Sequence, residues 1–242
     1  LIKKVPISSK MSYLIAIGTS VCGATAIVAM APVIDAKKSE VAYAIANITL
    51  FGVISMLVYP YFAEWYFNDE SLLVGLFLGT AIHETSQVAA AGLIYDQQFN
   101  SPETLNVATV TKLIRNTFLV IMVPLFGFLY NRGKVKDKSY SIFSIFPYFV
   151  LGFIGLIIVR NFGDQIFTLE NGGLEYWKTF IRYIKSLATV FLTMAMAAVG
   201  ISINLSELKS MGYKPFVVGL IAAITVGIIS IISLETFLKI FL

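Results

Sequence analysis

Seven stretches of mostly apolar residues follow one another along this chain, and that run decides what it can fold into. About 20 apolar residues are what an α-helix needs to cross a bilayer. The stretches run from about Met11 to Ile34, Val41 to Phe62, Ser71 to Tyr95, Leu105 to Tyr130, Ser141 to Arg160, Trp177 to Ile201 and Lys214 to Leu238. They predict an all-α, polytopic membrane protein, a single transmembrane domain over residues 1–242. Charge agrees, since 13% of the residues are charged and a soluble domain carries about 25%.

Two polar strings interrupt this pattern. Gly18-Thr19-Ser20-Val21-Cys22-Gly23-Ala24-Thr25 lies in the first stretch, and Gly79-Thr80-Ala81-Ile82-His83-Glu84-Thr85-Ser86-Gln87 in the third. Setting Gly18 on Gly79 pairs Thr19 with Thr80, Val21 with Ile82 and Thr25 with Ser86, and small-residue runs follow both strings. Polar groups at bilayer depth are costly and usually line a pathway or a site. A pair of similar Gly/Ser/Thr-interrupted segments points to discontinuous helices around a transporter's binding site. In the first string Gly18 and Gly23 weaken the helix. An opened helix frees N–H groups near Thr25, where the dipole favours an anion. Close packing between small-residue helices is the competing reading. The second string would cover every face of a continuous helix, lipid included, which argues for a break or full enclosure. Its Glu84 is expected either to find a cation or to carry a proton, and His83 can relay one.

The fourth stretch carries Lys112 and Arg115, three residues apart on one helix face. Lys112 sits roughly 10 Å into the stretch, so snorkelling to the interface is open to it. Arg115 is deeper, and its planar fork suits oxyanions. Either residue is expected to lie close to Glu84 or to bind an anionic substrate. The candidate substrate-binding residues are therefore Thr19, Ser20, Cys22, Gly23, Ala24, Thr25, His83, Glu84, Thr85, Ser86, Gln87, Lys112 and Arg115. Asn47 and Thr49 are weaker candidates. Gly200-Ile201-Ser202-Ile203-Asn204-Leu205 reads as the end of the sixth helix.

Several chemistries are set aside. Cys22 is the single cysteine and His83 the single histidine, so a four-ligand Cys/His zinc site is not expected. His83-Glu84-Thr85-Ser86-Gln87 starts like a zincin helix but ends in Gln87 rather than His. There is no P-loop, and a Cys22–His83 catalytic pair lacks an identifiable orienting group. No enzyme activity, cofactor, metal or nucleic-acid partner is expected. The net charge of +4 follows from basic loops. The four basic residues of 131–138 place that loop in the cytoplasm by the positive-inside rule. Lys3, Lys4, Lys10, Lys209 and Lys214 then fall inside and the loop Phe162 to Tyr176 outside. Lys37 and Lys38, flanked by Asp35 and Glu40, fall outside against the rule, a conflict that is removed if one polar string is re-entrant and does not cross. The chain starts at Leu1 without a signal-peptide pattern, and further N-terminal helices are expected before it.

Five stretches carry a family resemblance: Val21-Cys22-Gly23-Ala24-Thr25-Ala26-Ile27, Glu40-Val41-Ala42-Tyr43-Ala44-Ile45, 82–92, 108–115 and 200–205. In this order they resemble the sulfate-exporter family, bacterial inner-membrane proteins long carried as an uncharacterised membrane family. The resemblance implies a multi-pass inner-membrane carrier, an inverted-repeat fold with broken helices crossing at mid-membrane, and further N-terminal helices. The expected function is a secondary transporter exporting a small inorganic or sulfur-containing anion such as sulfate. The alternatives are a proton- or cation-coupled carrier of small organic acids and a non-transporting membrane sensor. The expected partners are the small anion and the lipid bilayer, with a homodimer as a candidate assembly.

Overall fold

The structure, a computed structural model, describes residues 7–68, 70–132, 149–167, 173–202 and 213–241. It is all-helical, with no strand among the described residues. The chain divides into two compact units, Leu1–Ile145 with Ile203–Leu242, and Phe146–Ser202.

In the first unit the first apolar stretch is two helices, α1 (Ser9–Ser20) and α2 (Gly23–Met30). Ser8 caps α1, its hydroxyl accepting from the Met11 N–H at 3.1 Å. The second stretch is one long helix, α3 (Lys38–Phe67). The third is again broken, into α4 (Ser71–Ala81) and α5 (Thr85–Phe99). Asn68 and Asn100 end α3 and α5 in the left-handed conformation, a common C-cap for asparagine. The fourth stretch is α6 (Pro102–Thr117) and α7 (Leu119–Asn131), with Pro102 opening α6, where its missing N–H costs nothing. The two are bent by 41° at Phe118, whose N–H bonds back only three residues, to Arg115. The last stretch is α10 (Lys214–Phe241).

The second unit holds α8 (Phe149–Ile166) and α9 (Leu174–Ser202). The loop expected from Phe162 to Tyr176 is helical at both ends. The sixth helix is described to Ser202, within the stretch 200–205 expected to end it, and residues 203–205 and 133–138 lie outside the described residues. Trp177 stacks on Phe167 and Phe180 and donates its indole N–H to Asp164 at 2.6 Å. Arg160 pairs with the same carboxylate at 2.7 Å. These two donors hold the Asp164 carboxyl below its ordinary value of 3.8.

Two of these helices, α3 and the stretch Lys214–Phe237 of α10, are long and apolar enough to cross a membrane alone, and the bent α6–α7 pair would make a third. The broken pairs fall short because each half is short; α4 is apolar but has 11 residues, about 16 Å of rise. Large apolar side chains nevertheless face outward along α3 (Leu50, Ile54, Leu57, Val58) and α10 (Ile224, Ile228, Ile232). Continuous faces of this kind mark a lipid or protein contact rather than water.

The core of the first unit has two parts. One joins α1, α2 and α7 through Leu14, Ile17, Ile27, Met30, Leu119 and Val123. The other joins α3, α4, α5 and α6 through Ala63, Phe77, Leu78, Val88, Ala91 and Ala108. Helix α6 packs on both α4 and α5. A Cβ on Gly79 would stand 2.6 Å from the Ala108 carbonyl oxygen, and one on Gly92 2.9 Å from the Leu105 Cα. Such close approach is how membrane helices gain contact where no hydrophobic force drives them together. It carries the polar end of α6 to the break between α4 and α5.

Candidate functional site

Both polar strings are helix breaks, and the two breaks meet. The first lies at Val21 and Cys22 and the second at Ile82, His83 and Glu84. At each break, the end of one half-helix leaves carbonyls without N–H partners, and the start of the next leaves free N–H groups. The partial charges of those ends need counter-charges where water is scarce.

Lys112 and Arg115 supply them at the C-terminal ends. Lys112 is fully buried, at 0% exposure. Its ammonium donates to the carbonyls of Val21 and Ile82 at 3.0 Å each and of His83 at 2.5 Å. Arg115 donates to the carbonyls of Ser20 at 3.1 Å, Thr80 at 2.6 Å and Ile82 at 3.1 Å, and to that of Thr19. The negative ends of α1 and α4 thus share two cations. Neither cation snorkels.

Glu84 serves the opposite ends. It is the N-cap residue of α5, and its carboxylate accepts from the Ala24 N–H at the start of α2 at 2.5 Å. The positive ends of α2 and α5 thus share one carboxylate. Gly23 makes room for it. Its φ of +40° lies in the left-handed region, and a Cβ there would collide with the Glu84 carboxylate. The Glu84 N–H donates in turn to Gln87 at 3.3 Å, and the Gln87 amide donates to the Thr49 carbonyl of α3 at 3.1 Å.

Glu84 lies close to Lys112, as expected, but the two form no direct ion pair. The ion pairs among the described residues are Arg160–Asp164 and Lys178–Glu175, both in the second unit. Lys112 acts on Glu84 through space, but its donors are taken by main-chain carbonyls. A Lys ammonium has three donors, and all three are used.

The other candidates fall around this crossing. Thr19 and His83 are buried, and the Thr19 hydroxyl oxygen and the His83 Nδ1 have no hydrogen-bond partner. The same holds for the Ser86 hydroxyl. Thr85 accepts from the Asn116 amide at 3.2 Å. Cys22 is buried in the turn between α1 and α2. Thr25, on the first turn of α2, and Ser20, at the end of α1, are exposed. The Ser20 hydroxyl bonds back to the Ala16 carbonyl at 2.7 Å. Asn47 lies away from the crossing, its amide donating to the Pro215 carbonyl of α10 at 2.8 Å.

A cavity of about 630 Å³ opens beside the crossing. Its polar lining includes Ser20, Thr80, Arg115 and Ser230, and apolar residues such as Phe118 and Phe237 make up most of the rest. The Thr80 and Ser230 hydroxyls are 2.5 Å apart. Ser230 is not a residue that the sequence singles out. A lone hydroxyl in the apolar run of α10 carries no pattern that separates it from packing.

A sequence model described as "Conserved hypothetical protein 698" matches residues 1–219. The chain belongs to this family. A UPF0324 membrane protein of Fusobacterium nucleatum is 34% identical over 247 residues, covering 100% of this chain and 70% of its own length. UPF0324 membrane proteins of Clostridium tetani and Streptococcus pneumoniae are 32% and 33% identical, covering 91% and 97% of this chain. The chain spans 63% and 67% of those two relatives. No solved structure matches it. Together with its apolar helices, membership makes this chain a membrane protein. The resemblance carried by the sequence thus holds at the level of an uncharacterised membrane family.

Proposed function

We propose that this family member is a secondary transporter that exports a small anion, sulfate or another small sulfur-containing anion, across a bacterial inner membrane. One observation carries the reading: a carboxylate oxygen already rests on the Ala24 N–H at the start of α2. That point accepts an anionic oxygen, as helix N-termini do, and the oxygen there belongs to a residue that can take up a proton. Substrate and Glu84 compete for one donor. A proton on Glu84 releases the N–H and the substrate oxygen takes it. The unpartnered Ser86 hydroxyl, with Thr25 and the fifth Arg115 N–H, completes the anion's hydrogen bonds. Such a carrier uses the half-helix ends at mid-membrane and rocks around them. In this reading the seven apolar stretches are all crossings, the fold is an inverted repeat, and the protein is a carrier rather than an enzyme.

The cavity favours one second reading, a carrier of small organic acids. Its apolar lining suits a hydrocarbon body, with Arg115 facing the carboxylate. The test is flux into proteoliposomes of labelled sulfate, thiosulfate and short-chain carboxylates, with and without an imposed pH gradient. Saturable sulfate or thiosulfate flux driven by the gradient supports the first reading, and carboxylate flux alone the second. Background flux of every anion under both conditions overturns transport of this class.

A further inference from the structure

Three main-chain carbonyls from two separate half-helices converge on one buried point. They belong to Val21, just past the end of α1, and to Ile82 and His83, just past the end of α4. Unwound carbonyls at half-helix C-termini are the donor set with which discontinuous membrane helices bind sodium ions or protons. Here the point is filled by the Lys112 ammonium, which reaches it from α6 and places one N–H on each oxygen. We propose that Lys112 is the tethered occupant of a monovalent-cation site, and that this protein needs no sodium ion at its helix crossing.

The surroundings fit a cation site rather than an ordinary structural lysine. Buried charges are as a rule paired with an opposite charge. Lys112 has no such partner, although Glu84 lies next in sequence to one of its acceptors. The site's negative character comes from the aligned peptides of α1 and α4, which any small cation would feel. The titratable and charged groups around it are Arg115 on its own helix, Glu84 and His83 at the second break, and Cys22 at the first. Arg115 shares the Ile82 carbonyl at 3.1 Å, so one fixed charge stays when Lys112 is truncated and a single monovalent ion suffices to restore the balance. A fixed ammonium in place of a dissociable ion also bears on coupling. Resting on the transport reading, it leaves Glu84 as the group that exchanges with solution. The site itself does not depend on that reading.

The experiment is thermal unfolding of the purified protein in detergent at constant ionic strength, with choline replaced by sodium, potassium or methylammonium. The parent is expected to melt at the same temperature in all four. Lys112→Ala is expected to melt lower in choline and to regain at least about 3 °C in sodium or methylammonium, since a ligand that binds only the folded state raises its midpoint. Lys112→Met fills the lysine's volume without its charge, and is expected to stay low in every salt. If Lys112→Ala cannot be recovered in choline, recovery when it is expressed and purified in methylammonium supports the proposal, and failure in all salts overturns it. Equal melting of Lys112→Ala in all four salts overturns it, as does a parent that sodium stabilises over choline. None of these readouts requires flux, so the site can stand if the transport reading falls, and the reverse.

Discussion

Gly23→Ala tests the crossing at its tightest point. An alanine at φ +40° meets the left-handed penalty of about 1–2 kcal/mol. Its Cβ also takes space held by the Glu84 carboxylate, so the bond from the Ala24 N–H must lengthen or break. A hydrogen bond to a charged group contributes about 1.5–3 kcal/mol. The expected loss is the sum, about 2.5–5 kcal/mol, or a melting midpoint lowered by roughly 5–20 °C for a chain of this size. The two parts separate in a Glu84→Ala background, where no carboxylate is displaced and about 1–2 kcal/mol should remain. The assay is a double-mutant cycle by thermal or denaturant unfolding in detergent, with size-exclusion profiles as a check on folding. A coupling of about 1.5–3 kcal/mol between the two positions is expected. If the two losses add to within about 0.5 kcal/mol, Glu84 does not lean on Gly23 in solution and the site geometry is wrong.

Glu84→Gln keeps shape and hydrogen-bonding capacity without the titratable proton; it should fold like the parent and lose flux driven by a pH gradient, and unchanged gradient-driven flux would remove Glu84 from coupling. Arg115→Lys replaces a fork that reaches four carbonyls with three donors on one atom; at about 1 kcal/mol per bond left unmade it should cost roughly 1–3 kcal/mol in unfolding experiments. Gly79→Ala places a methyl against the Ala108 carbonyl and should cost about 1–3 kcal/mol as α4 and α6 are forced apart, whereas Gly152→Ala, with open space around it, should not separate helices. The tie from Asp164 to Trp177 and Arg160 lowers the folded-state pKa, so its contribution is complete at neutral pH and is lost only as pH falls below about 4. Trp177 fluorescence, read against Asp164→Asn with Trp65 replaced, should therefore be flat from pH 5 to 8 and change only at the acid end; a transition near neutrality contradicts the assignment.

Residues that break a rule of the lipid environment are legible in the amino-acid sequence alone. A run such as His83 to Gln87 cannot face lipid on a continuous helix, so either a break or full enclosure at that place follows from solvation, and the fold takes the break. Gly23 is legible as a weak point, but the sequence does not distinguish Gly18 from it. In the fold Gly18 lies inside α1, packed on Ile48 and Ile27, and Gly79 likewise serves packing on α6. Glu84 lies close to Lys112, as expected, yet forms no ion pair with it, and for a definite reason. A scan of side chains matches a buried carboxylate with the nearest lysine or arginine. It does not count the carbonyls that a broken helix releases, and at this crossing Lys112 and Arg115 spend seven hydrogen bonds on them. The long apolar stretches locate the helices well, yet the ends shift wherever a capping residue decides the matter. Asn100 and Pro102 carry α5 and start α6 beyond the apolar limits at Tyr95 and Leu105. The loop from Phe162 is shorter than its polarity implies because Asp164 is satisfied within the helix pair by Arg160 and Trp177.

The most direct measurement asks whether the transported anion occupies the crossing. In a Cys22→Ser background, Ser86→Cys places a single thiol beside the two breaks, and its labelling by a small thiol reagent can be timed in proteoliposomes. Saturating sulfate, or whichever anion shows the highest flux, should slow labelling severalfold relative to a non-transported salt at equal ionic strength. Equal labelling rates at anion concentrations that saturate flux would contradict the account, because substrate would then pass without touching the place where the two broken helices meet.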